Sequence, residues 1–124
     1  MRRLLAALWL ALVPAACGTT MPALAQHDHA RHHGEYRNWS SGKVGNCCND
    51  DDCGTVRDDE LRQSPSGTEI RIAGEWCPVL REHFLTSGKS PDWQSAHACV
   101  GKTEYWLSRP PCERLLCFVG TGGL

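Results

Sequence analysis

Before Pro14 interrupts it, the longest apolar run in this chain is the ten residues from Leu4 to Val13. A membrane-crossing helix needs about 20, so no stable membrane span is expected. Cationic excess is missing too: 13 Lys and Arg stand against 14 Asp and Glu, and no basic surface for nucleic acid is implied. The chain has no C-x-x-C pair, no G-x-S-x-G and no H-E-x-x-H. These absences count against paired-cysteine zinc sites, thioredoxin-type redox centres, hydrolases built on a nucleophile elbow and zinc peptidases. Neither an internal repeat nor an amphipathic helix of useful length can be read from the periodicity. No nucleophile, base and acid assemble into one set, so an enzyme is not expected.

What is present begins with an export signal. Arg2 and Arg3 precede the apolar run, and Ala23-Leu24-Ala25 supplies a small-x-small cleavage site, which makes residues 1–25 a signal peptide and Gln26 the mature N-terminus. Acylation of Cys17 as a lipoprotein is a minor alternative, weakened by Pro14 where such sites want an aliphatic residue. The expected location is the periplasm or the medium. Loss of Arg2 and Arg3 takes the formal charge from −1 to −3.

Seven cysteines follow the cleavage site: Cys47, Cys48, Cys53, Cys77, Cys99, Cys112 and Cys117. At that density in a short exported chain they read as disulfide cysteines. Seven is odd, so either one thiol stays free or it pairs with a small molecule or a second chain. Residues 26–45, rich in His, Arg, Ser and Gly, offer little to bury beyond Tyr36 and Trp39 and read as a flexible tail. Residues 46–120 carry the apolar content, and 121–124 read as a flexible end.

Within that second part the strand signals are short. Ile70 and Ile72 alternate with Glu69 and Arg71, Gly74 marks a turn, and Thr68 to Val79 reads as a hairpin. "GTVR", "AHACV" and "RLLCFV" are further strands, with a helical turn or two over Leu80 to Leu85 that leaves His83 on the surface. The expected fold is a small all-β domain of antiparallel hairpins or a meander, stapled by disulfides and preceded by a tail. Such a domain buries too little to be comfortable alone, and each bridge adds about 2 to 4 kcal/mol.

Three clusters invite chemistry. The first is "GNCCNDDDCG", Gly45 to Gly54, whose register from Asn49 puts Gly54, Val56 and Glu60 at EF-hand positions 6, 8 and 12. Asn at position 1, Cys53 at position 5 and Arg57 at position 9 argue against calcium. The favoured reading is a solvated turn whose adjacent cysteines, facing opposite ways, reach different partners. The second is "HDHARHHGE", where His27, His29, His32 and His33 with nearby carboxylates suit copper or zinc. The third is His97 with Cys99, two apart on a strand and so on one side of it, as a metal or Cys-His pair would be. If Cys99 is bridged, His97 becomes a packed core residue. Trp39, Trp76, Trp93 and Trp106 are many indoles for so small a domain, and an exposed pair would mark a ligand or partner site.

The order "CCNDDDC", "WCPV", "SPDWQSAHAC" and "CF" resembles a group of small exported cysteine-rich bacterial proteins that share CC-x-D-x-D-C, W-x-P-V, SPD leading to H-x-C, and a late Cys-Phe. The resemblance spans Cys47 to Phe118. It implies export and a shared framework of Cys47, Cys48, Cys53, Cys99 and Cys117, and it carries no activity. Cys77 and Cys112 are additions to the pattern and are expected to pair, leaving Cys48 and Cys53 to reach Cys99 and Cys117. Trp93 stands where the pattern has glycine. The functional expectation is a non-catalytic binding or interaction module, its partner a protein or small ligand. Copper or zinc handling through the histidines is the alternative, and a thiol enzyme the remote one.

Overall fold

The computed structural model describes residues 29–48 and 53–123; the signal segment, Cys17, His27 and the aspartates of the 49–52 stretch lie outside them. The fold is mostly antiparallel β, in three small sheets. The central one joins β2 (Cys53–Thr55), β7 (His97–Val100) and β8 (Leu115–Val119). Every residue of β7 and β8 is buried, because both faces of this sheet are covered. Cys99, Cys117 and Val119 face one core with Tyr36 and Trp39, while Ala98, Val100 and Phe118 face another with Ile70, Ile72 and Cys77. That division follows the period-2 alternation of a strand except at Leu116, the extra residue of a bulge opposite Cys99 and Val100, which joins Cys117 in the first core.

The second core is closed by the sheet β3 (Leu61–Ser64), β4 (Gly67–Ile72) and β5 (Glu75–Pro78). The expected hairpin is present, with Ile70 and Ile72 inward. Ala73 and Gly74, both at positive φ, make its two-residue turn, the backbone twist that antiparallel strands require there. On the outer side the Arg62 guanidinium lies 4.1 Å over the Trp76 ring.

Residues 29–45 depart from the expected tail. From His29 to Tyr36 the chain forms α1, and Ser40–Ser41 (β1) pairs antiparallel with Leu85–Ser87 (β6). Tyr36 and Trp39 are wholly buried, ring edge to face at 4.9 Å. The Trp39 indole N–H donates to the Lys89 carbonyl at 2.9 Å. Two aromatic side chains suffice to anchor an otherwise polar segment, since each can bury on the order of 150–250 Å². The C-terminal residues 121–123 are likewise placed: the Gly122 N–H donates to the Trp93 carbonyl. A short second helix, α2 (Glu104–Leu107), leaves Tyr105 and Leu107 exposed. No helix among the described residues is long and apolar enough to cross a membrane.

Three bridges tie these parts: Cys47–Cys117, Cys53–Cys99 and Cys77–Cys112. The additional pair is joined as expected. In the other pairing Cys47, not Cys48, reaches Cys117, and the buried Cys48 belongs to none of the three. Cys53, Cys99 and Cys117 lie in one row across β2, β7 and β8, so the first core is braced by two adjoining bridges. His83 is also corrected. It is buried, its Nδ1 accepting the Leu80 N–H at 2.9 Å across the 3-10 turn Arg81–His83, and burial lowers its affinity for a proton.

Glu60, at the end of the 3-10 turn Asp58–Glu60, is 2% exposed, and its Oε2 bonds to nothing among the described residues. Burial pushes its carboxyl above the usual range, against the pull of Arg57. A raised carboxyl favours the fold when protonated, so its contribution is complete below about pH 4.3 and disappears as pH rises through the folded value. Glu60→Gln is therefore expected to raise stability at pH 7 by about 1 kcal/mol and to leave it nearly unchanged at pH 4. Thermal melts at the two pH values measure this.

Candidate functional site

His97 is fully buried. Its Nε2 lies 3.1 Å from Asp92 Oδ2 and its Nδ1 2.8 Å from the Tyr36 hydroxyl. A carboxylate only accepts, so Nε2 carries a proton; in the neutral imidazole Nδ1 then accepts from the Tyr36 hydroxyl. Asp92 is held in turn by the chain around it: its Oδ1 accepts the N–H groups of Ser95 at 2.7 Å and Gln94 at 2.9 Å, while the Ser90 hydroxyl donates to its carbonyl. The Ser95 bond is the largest influence on the Asp92 carboxyl and burial, the next, opposes it; the Gln94 bond and the contact with His97 then join Ser95 in holding the group below its ordinary range.

Chemically this line is spent. Both ring nitrogens of His97 are engaged inside the protein, and Cys99, its neighbour on the same side of β7, is bridged to Cys53. The Cys-His pair considered from the sequence is thus a strut joining α1, β7 and the 90–95 turn. Because the Asp92 carboxyl is lowered, its contribution is present above about pH 3.9 and fades as pH falls through the folded value. Asp92→Asn should lose about 1 kcal/mol at pH 7, allowing for solvent at the half-exposed carboxylate, and markedly less at pH 3. Denaturant melts of both proteins at both pH values give the comparison.

The histidine ligands expected in the tail are divided by α1. His27 is outside the described residues, and His29 and His33 are one helical turn apart along the backbone of α1. His32 packs edge-on to Tyr36 and His97, ring centres at 6.0 and 5.8 Å. Among the described residues no three His, Cys, Asp or Glu side chains gather to hold a metal ion. In the calcium register, Cys53 is bridged and Glu60 is buried beneath β3 and β4.

The indoles separate sharply. Trp39 is core, Trp76 and Trp106 are half-buried, and Trp93 is 66% exposed. Trp93 nevertheless stands in a fixed place, since its carbonyl takes the Gly122 N–H and a Cβ at Gly123, where φ is +81°, would collide with its ring. Beside it a cleft of about 300 Å³ is lined by Phe84, Leu85, Lys89, Ser90, Phe118 and Val119 among others. Phe84 and Phe118 meet edge to face at 5.7 Å and form a parallel bridge. Gly88 completes the wall with φ +90°, where a Cβ would lie 2.5 Å from the Trp39 ring, so only glycine fits.

Sequence reasoning noticed Trp93 but missed Asp92, Lys89 and the phenylalanines. The signal for Asp92 is the Asp-x-x-Ser turn after Ser90-Pro91. No family model, curated protein or solved structure matches this chain.

Proposed function

We propose that this is an exported, disulfide-stapled binding module that works without catalysis, with the cleft beside Trp93 as its contact site. The observation that carries the reading is an indole two-thirds exposed yet pinned by the glycine turn at residues 120–123, over an aromatic-walled recess. Small concave sites lined by apolar groups with a few polar ones are where ligands bind, and exposed, rigid Trp side chains dominate many interfaces. Three bridges suit an oxidising compartment, and the engagement of His97 on both sides removes the most reactive-looking imidazole from chemistry.

Copper or zinc handling is kept as the second reading because α1 sets His29 and His33 one turn apart, a spacing that can serve two imidazoles on a helix. One preparation distinguishes the readings: protein isolated from the periplasm of an expressing bacterium, its intact mass and metal content measured together. The expected result is a chain beginning at Gln26 with less than stoichiometric copper and zinc. A full-length chain in the cytosol contradicts export, and a stoichiometric metal moves the function to the histidines.

A further inference from the structure

The chemistry of the cleft narrows its ligand. Phe84, Leu85 and the open face of Trp93 offer apolar contact over a floor formed by the buried Phe118 and Val119, with room for one ring or a branched aliphatic group in a volume of about 300 Å³. Among the described residues of its lining, the charged one is Lys89. Its side chain is exposed, and no salt bridge of the described residues includes it. Asp92, the nearest acid in sequence, turns its carboxylate oxygens to the Ser95 and Gln94 N–H groups and to His97 and forms no ion pair with Lys89. The recess therefore joins apolar walls to one ammonium that no carboxylate among the described residues pairs.

The backbone reinforces the arrangement. Lys89 is fixed through its carbonyl, which accepts the buried Trp39 indole N–H, and its neighbour Gly88 is packed against the same ring. The cation thus rises from a segment anchored to the first core, while Trp93 is set by the C-terminal turn. A site organised before the ligand arrives loses less conformational entropy on binding.

We infer that this cleft binds a small organic anion, a carboxylate carried on an aromatic or branched apolar body, with the body on Trp93 and the carboxylate at Lys89. The inference rests on the binding reading above and goes further by naming the ligand's class. Burial of the ring supplies the apolar contribution, and a charge-assisted bond to the ammonium selects the acid over its neutral analogue.

The test uses the oxidised mature protein, labelled with ¹⁵N, titrated with phenylacetate and separately with the uncharged phenylacetamide while the indole and amide resonances are followed. Phenylacetate is expected to move the Trp93 indole signal and the amides of Gly88 and Gly123, and to bind about tenfold more tightly than the amide. Lys89→Met should abolish that preference, and Trp93→Ala, a change at an exposed side chain that spares the core, should abolish saturable binding. Equal affinity for both probes would overturn the anion assignment while the binding cleft stands. Shifts confined to other residues, unchanged binding in Trp93→Ala, or no saturable shift with either probe would overturn both.

Discussion

Trp39→Ala is expected to lower the unfolding free energy by about 4 kcal/mol, the middle of the range for removing a large buried aromatic. The side chain is 1% exposed, packs on Tyr36 at 4.9 Å, and donates its indole N–H to the Lys89 carbonyl. Its loss opens a cavity in the first core and leaves that carbonyl without its donor. A domain of this size has about 5 to 15 kcal/mol in all, so the variant should be close to unfolding at 37 °C. It should also loosen the Gly88-Lys89 segment and hence the cleft. Were residues 26–45 a tail, the substitution would change almost nothing. Circular dichroism melts of parent and variant, both fully oxidised, decide between these outcomes.

Replacing Cys47 and Cys117 together with alanine should cost a comparable amount. This bridge spans 70 residues, the longest of the three, and the chain-entropy account assigns such a closure about 4 kcal/mol. It also joins the start of the cysteine loop to β8, the edge strand beside β7, in the row that holds Cys53 and Cys99. The Cys77→Ala/Cys112→Ala pair closes a shorter loop, with a separation of 35. It should cost slightly less and should spare the first core, because it staples β5 to the 3-10 turn Pro111–Arg114. Chemical denaturation of the two double variants measures both values. A larger loss for the Cys77–Cys112 pair would reverse the ranking.

Much of the β architecture was legible because it obeys local rules. Ile70 and Ile72 alternate with charged residues and are buried, and Gly74 sits in the turn that follows. The pairing of Cys77 with Cys112 was legible through the resemblance alone. What misled was composition averaged over a segment. Residues 26–45 look polar in aggregate, yet Tyr36 and Trp39 alone carry the segment into the core, and a window average hides two such anchors. His83 was read from its surroundings on a short turn, whereas the Leu80 N–H draws its ring inward. The choice between Cys47 and Cys48 depends on which of two opposite-facing side chains meets β8, a matter of tertiary register that spacing does not encode. The cleft was illegible for the same reason. Phe84, Lys89, Trp93 and Phe118 come together only when β6 crosses beside β8 and the C-terminal turn folds back.

A bridged framework holds α1, the central sheet and the walls of the cleft in one arrangement. The most direct test is a disulfide map of the unreduced protein. Cleavage before the aspartates at 50–52 separates Cys53 from Cys47 and Cys48, and fragmentation between the adjacent pair assigns the remaining bond. The expected map joins Cys47 to Cys117, Cys53 to Cys99 and Cys77 to Cys112. A bond from Cys48 to Cys117, or from Cys53 to any residue but Cys99, would contradict the framework and the site built upon it.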